Sequence, residues 1–273
     1  MTHILANGID MHVLRMPAKG VLGADGRHPT VVLIHGLGPD NLASFYLTLA
    51  APVSSGGVEV IAYDLRGHGR SSRPRTGYRL SDFVADLAEL LGALDVPGPV
   101  HLVGNSFGGT VAFSYALAHP ERVVSLVLIE SEPATEPWSR KMSTRFERLS
   151  QLEHPDEIDQ LTAHLGRYGA RAAKVASRTL QATTMARDIP HGPLLSREQV
   201  QSVRCPMLMI LGGESRFVDR AALASLLPRS RTVVVPGHRH RLLVEAPRAV
   251  LDLLLPWIAE HDPARPQAEV SRV

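Results

Sequence analysis

The sequence predicts an α/β domain, a mostly parallel sheet with helices on both faces, and three observations carry that expectation. Short apolar runs of strand length alternate with longer helical stretches along the chain, and parallel strands need crossover connections that cover both faces of the sheet. One such run, Pro99-Val100-His101-Leu102-Val103, passes through Gly104-Asn105-Ser106-Phe107-Gly108 straight into the apolar, alanine-rich stretch Val111 to Ala118, which reads as strand, tight turn, helix. The 273 residues, 44% of them hydrophobic, are enough for one large core with a modest insertion.

In chain order, Ile4 to Met16 reads as one or two opening strands interrupted by a turn at Asn7-Gly8. Further strands are expected at about Val31 to His35, Val58 to Tyr63, Val100 to Gly104, Val123 to Glu130, Met207 to Leu211 and Thr232 to Val235. Ligands of such sheets bind at the carboxyl ends of the strands. Ser106, Glu130, the Gly212 turn and His240 all fall at or just past strand ends, so they can converge on one edge. The tail from His261, with Pro263, Pro266 and scattered charge, is expected to be a mobile end.

Composition excludes several classes of function. Lys and Arg number 29 against 27 Asp and Glu, and a net charge of +2 gives no electrostatic case for nucleic acid or an acidic membrane. The single cysteine, Cys205, rules out an intrachain disulfide and fits a reducing compartment; before Pro206 at a strand start it reads as a small core residue. No leader-like N-terminus and no run long enough to span a bilayer is visible, so a soluble cytoplasmic protein is the expectation. No metal cluster or nucleotide loop is apparent, and no cofactor is expected.

The turn at Ser106 has the form Gly-x-Ser-x-Gly. Small residues two positions either side let strand and helix approach closely while the serine sits strained with its hydroxyl exposed, so the spacing reads as a mount for a nucleophile. Val31-Val32-Leu33-Ile34-His35-Gly36-Leu37-Gly38 is a buried-strand pattern ending in His-Gly, and Tyr63-Asp64-Leu65-Arg66-Gly67-His68-Gly69-Arg70-Ser71-Ser72 follows another apolar run. Near the C-terminus come Val233-Val234-Val235-Pro236-Gly237-His238-Arg239-His240 and Leu243-Val244-Glu245-Ala246-Pro247. With these segments the chain resembles the α/β-hydrolase superfamily from about Ile4 to Ile258, least between Ser131 and Ser196. The resemblance implies an α/β-hydrolase core of residues 1–130 and 197–260, a helical cap of residues 131–196 inserted after the sixth strand, and a tail of residues 261–273.

It also implies roles. Ser106 would be the nucleophile and His240 its base, because relatives carry the histidine five residues before a Glu-x-Pro and Glu245 sets that register; His238 is the alternative, read as a polar loop residue. The backbone N–H groups of Leu37 and Phe107 would form the oxyanion hole. His35, Asp64, Arg66 and His68 resemble structural turn residues of the family. Most relatives place the orienting acid just after the seventh strand, three residues beyond a glycine, but counting from Gly212 lands on Ser215 and from Gly213 on Arg216. A histidine that must hold one tautomer and then carry charge needs a carboxylate. The sixth strand offers one: Ser125-Leu126-Val127-Leu128-Ile129 ends in Glu130, and some superfamily members, including a subset of haloalkane dehalogenases, carry their acid there. Glu214, Glu132 and Asp219 remain alternatives for the acid. The dehalogenase likeness stops at that point, since their nucleophile is aspartate and here it is serine.

In the insertion, Trp138 and Tyr168 are candidates to line the pocket or to pack the cap on the core. Arg167, Arg171, Lys174 and Arg178 follow helical spacing and form either a solvated face or a docking strip for an anionic substrate or acyl carrier. The expected activity is that of a serine hydrolase acting through an acyl-enzyme on a small or medium ester or thioester, anionic or carrier-bound if the strip is used. Alternatives of the same fold are a carbon-carbon bond hydrolase, for which Asn105 is a sign, a cofactor-free haloperoxidase or perhydrolase, and a ligand-binding receptor.

Overall fold

The computed structural model of the chain describes residues 1–20, 28–150, 170–171 and 173–262. Among them, eight strands form one sheet: β1 (Thr2–Ala6), β2 (Ile9–Met16), β3 (Thr30–Ile34), β4 (Glu59–Tyr63), β5 (Val100–Asn105), β6 (Val123–Ile129), β7 (Met207–Gly212) and β8 (Arg231–Val235). Their spatial order is β1-β2-β4-β3-β5-β6-β7-β8. The opening segment is two strands, paired antiparallel across the turn at Asn7 and Gly8, both of which have positive φ. β2 also runs antiparallel to β4, and the pairings from β4 through β8 are parallel.

The central strands are apolar on both faces because both faces are covered. Val32 and Ile34 of β3, Leu102 of β5, and Leu126 and Leu128 of β6 enter one core; Val31, Leu33, Val103, Val127 and Ile129 enter the other. Alternate residues therefore serve opposite cores, as the strand period of two requires. The helix Leu80–Ala93 covers the first face and buries Leu80, Phe83, Leu87, Leu90 and Leu91, a stripe of one helical face. The helix Phe107–Ala118 lies beside it with Phe107 to Ala116 all buried, which explains why its sequence is small and apolar on every side. The closing helix Pro247–Glu260 covers the other face through Val250, Leu254, Trp257 and Ile258.

The described part of the insertion is helical, at Glu136–Ser150, at 173–182 and at Met185–Asp188. Trp138, Met142 and Phe146 recur every four residues on the first helix and are buried in the core that Phe107 also enters. Trp138 is 2% exposed and stacks on Phe107 with ring centroids 6.4 Å apart, so it packs this helix onto the elbow. Arg171, Lys174 and Arg178 are exposed. Tyr168 and Arg167 lie outside the described residues, as do residues 263–273 of the expected tail. The start of that tail is docked: His261 packs on Trp257, with ring centroids 4.0 Å apart. No described helix is long and apolar enough to cross a membrane.

Candidate active site

Ser106 follows β5 directly and precedes the helix Phe107–Ala118, with φ 53° and ψ −121°. Side chains other than glycine rarely adopt this conformation, and such strain concentrates at functional sites. The glycines around it are required by contact. A Cβ on Gly104 would lie 2.3 Å from Gly109 Cα, and one on Gly108 would lie 2.0 Å from the Ile34 carbonyl oxygen. Strand, helix and the end of β3 thus meet backbone to backbone under the serine. The sheet ladder continues past the strands, with Ser106 N–H donating to Ile129 O and Glu130 N–H to Ile210 O, both at 2.9 Å.

Glu130, the residue after β6, also has a positive φ, 50°, and is fully buried. Its Oε1 accepts from Gly212 N–H at 2.6 Å, and its Oε2 accepts from Ser215 Oγ at 2.5 Å and lies 3.1 Å from His240 Nδ1. His240 Nε2 is 3.0 Å from Ser106 Oγ. Because the carboxylate can only accept, Nδ1 carries the imidazole proton, and Nε2 is left to accept from the serine hydroxyl. Burial alone would raise the Glu130 carboxyl, but the hydrogen bonds from His240, Ser215 and Gly212 outweigh it and hold the group below its ordinary value. The acid is therefore ionised at neutral pH.

The histidine loop is seated on the end of β7. A Cβ on Gly212 would lie 2.4 Å from His238 O, and Glu214 N–H donates to that same oxygen at 3.0 Å. Phe217 stacks against the His240 ring with centroids 3.8 Å apart. The three other carboxylates considered from the sequence are engaged elsewhere. Glu132 pairs with Lys141; Glu214 is exposed and faces Arg239; Asp219 caps the helix Arg220–Leu226 by accepting from Ala221 and Ala222 N–H.

The loop after β3 approaches the serine from the other side, since a Cβ on Gly36 would lie 3.3 Å from Ser106 Cβ. Gly36 N–H donates to Asp40 Oδ2 at 2.7 Å and Gly38 N–H to His68 Nε2 at 3.2 Å, and the Leu37 amide lies between these occupied donors. Phe107 N–H is the first amide of its helix and has no carbonyl within that helix to meet. His35 accepts from Leu65 N–H at Nε2 and faces Gly36 O with Nδ1, joining the ends of β3 and β4. Asp64 accepts from Leu42 and Arg70 N–H and contacts His12 Nδ1, while Arg66 pairs with the buried Asp86. His68 is buried, which brings its pKa down to about 4 and keeps it neutral. No described group of three or more His, Cys, Asp or Glu residues is arranged to hold a metal ion.

Sequence reasoning missed Ser215, Phe217, Lys141 and Asp40. Ser215 carried a signal: it stands where the family pattern would put the acid, and its hydroxyl donates to Glu130. The other three depend on loop shape, which no periodicity encodes.

Residues 31–253 match the family described as Alpha/beta hydrolase family. A stretch of 154 residues is 44% identical to the non-heme chloroperoxidase of Streptomyces lividans; it covers 56% of this chain and 46% of that protein, so the chain spans under half of that relative's length. The 2-(acetamidomethylene)succinate hydrolase of Mesorhizobium japonicum is 29% identical over 94% of this chain and 96% of its own length. Among solved structures, E-2-(acetamidomethylene)succinate hydrolase superposes with a TM-score of 0.69 at 28% identity, covering 94% of this chain and 97% of its own. An esterase from Exiguobacterium antarcticum superposes with a TM-score of 0.75 at 20% identity, covering 94% and 98%, a likeness of fold alone.

Proposed function

The chain belongs to the alpha/beta hydrolase family, and from that premise we propose that it is a serine hydrolase in which Ser106, His240 and Glu130 act as nucleophile, base and orienting acid. The observation that carries this reading is the unbroken line of contacts from Ser106 Oγ through His240 to a buried, ionised Glu130. As Ser106 Oγ attacks a carbonyl carbon, its proton passes to His240 Nε2, and Glu130 balances the imidazolium. The oxyanion that develops is met by the Leu37 and Phe107 amides. Collapse breaks the bond to the leaving oxygen or sulfur, which takes the proton from His240; a water then repeats the sequence on the acyl-enzyme, returning the proton and freeing the acid.

Residues 131–196 serve as a cap over this chemistry, and the substrate is a small or medium ester or thioester. A second reading, a substrate bearing a carboxylate, is favoured by Arg145 and Arg148. These two cations have no carboxylate partner among the described residues and line one surface pocket with Arg140 and Lys141. The name of the Mesorhizobium relative, with its succinate group, points the same way. Labelling with a fluorophosphonate tests the main reading. Stoichiometric modification that disappears in Ser106→Ala is expected; no labelling of the wild-type chain would favour a binding protein. Esters with and without a terminal carboxylate test the second, through a lower KM for the charged series that Arg145→Met abolishes.

A further inference from the structure

We propose that Lys141 is a positioning residue for His240, acting through Phe217, so that the base is held in register by the helix Glu136–Ser150 of the insertion. The proposal rests on the role given above to His240.

The contacts form a closed circuit around the imidazole. Lys141 Nζ donates to Phe217 O at 2.7 Å and stands 5.0 Å from the centre of the Phe217 ring. The Phe217 ring lies against His240, 3.8 Å between centroids and inclined by 30°. Phe217 N–H donates to Ser215 Oγ at 3.2 Å, and Ser215 donates onward to Glu130. Lys141 also pairs with Glu132, two residues beyond Glu130, on the segment that leaves β6. Both neighbours that fix the imidazole, the carboxylate at its edge and the ring on its face, are therefore tied to one ammonium group on the helix Glu136–Ser150.

The geometry gives the tie a purpose. His240 is a loop residue with its side chain 29% exposed, and Glu130 and Ser106 hold its two nitrogens but leave the ring free to turn about the line between them. Phe217 removes that freedom by packing against the face of the ring. Phe217 sits in a short loop whose backbone needs its own anchor, and Lys141 supplies it at the carbonyl of that residue. A lysine suits the position because its three donors can meet a carboxylate and a carbonyl while the charge rests over the aromatic face. Arg145, 5.3 Å from the same ring, adds a second cation from the same helix. A displacement of about 1 Å in a reacting group can cost up to a hundredfold in rate, so a ring contact of this kind should show in turnover.

The test is a double-mutant cycle on the full chain. Lys141→Met should lower kcat about ten- to a hundredfold with KM for a small neutral ester within about twofold, and should slow fluorophosphonate labelling of Ser106 in proportion. Phe217→Leu should do the same, and Phe217→Tyr should restore most of the loss. Because both residues act through one contact, the double variant should be no slower than the slower single. Wild-type kcat in Lys141→Met, a loss confined to KM, or losses that multiply in the double variant would each overturn the proposal. Should Lys141→Met fail to fold, the comparison of Phe217→Leu with Phe217→Tyr and Lys141→Arg decides, since a ring contact predicts recovery in the last two. Absence of Ser106-dependent labelling in the wild-type chain would instead strike at the catalytic assignment itself.

Discussion

At the end of β5 the mount for Ser106 is made by backbone: a side chain on Gly104 or Gly108 would run into Gly109 or the Ile34 carbonyl. At the end of β6 the support for His240 is made by side chains, Glu130 with Ser215 at one edge and Phe217 with Lys141 at the face. A backbone contact this close admits only glycine, so its spacing is visible in the sequence. A side-chain contact can be supplied from any nearby strand end, and on the reading proposed above the acid comes from the end of β6 while Ser215 stands at the usual place after β7. The first region is rigid in its sequence, the second in its geometry only.

The sharpest way to break this contrast is at the serine. Ser106→Ala should keep the fold, because the elbow needs small neighbours rather than the hydroxyl, and should lower turnover by roughly four to six orders of magnitude. Circular dichroism and turnover measured together check it; retention of a tenth of the activity would remove Ser106 from the mechanism.

The acid side should be weaker but repairable. Glu130→Gln keeps the size but loses the charge opposite the imidazolium and one of the two acceptor oxygens that Gly212, Ser215 and His240 use, and turnover should fall by about three to four orders of magnitude. Ser215 Oγ is 2.5 Å from Glu130 Oε2, so adding Ser215→Asp to Glu130→Gln should recover at least about tenfold of that loss. In the wild-type background Ser215→Asp should do the opposite, since two carboxylates at that distance cannot both stay ionised. Turnover of the three variants checks the pair of signs, and a fully active Glu130→Gln would move the acid elsewhere.

The same division explains what was legible. The central strands β3 to β7 carry apolar runs, and the elbow carries its glycines, so the sheet, its topology class and the elbow at Ser106 follow from residue type. Glu130 was visible as a charge ending an apolar strand, a position packing does not explain. Its positive φ, the hydrogen bond from Ser215 and the Phe217 stack were not, because they arise from the path of loops after β6 and β7. Asp40, tying Gly36 N–H, escaped for the same reason.

Acid stability separates the two regions less strongly, by way of histidines outside the proposed triad. Burial lowers His68, beneath the loop after β3, and His101, within β5, from 6.5 to about 4. Between those values the unfolded chain binds the protons that the folded chain refuses, so stability is full above about pH 6.5 and falls as pH drops toward 4. Each group is worth about 3 kcal/mol across that window. Urea melts at pH 7 and pH 4.5 should show the drop, and His101→Leu should make it shallower; a wild-type chain equally stable at both would refute the assignment of these histidines as buried and neutral.

The smallest expected effect falls on the carboxylate that the family pattern would put nearest the ordinary acid position. Asp219 accepts from Ala221 and Ala222 N–H at 3.0 Å and so satisfies two amides at the start of the helix Arg220–Leu226. Asp219→Ala should cost about 1 kcal/mol, a fall in Tm of about 2–4 °C, while kcat/KM stays within about twofold, because nothing in its hydrogen bonding reaches His240. Asp219→Asn should restore the cap, since an amide oxygen accepts as well as a carboxylate there. Thermal melts and turnover on the two variants separate a cap from an acid. If Asp219→Asn lost activity on the scale expected of Glu130→Gln while keeping its Tm, the charge that steadies the base would lie on the β7 side, and the contrast between a fixed nucleophile and a relocated acid would fail.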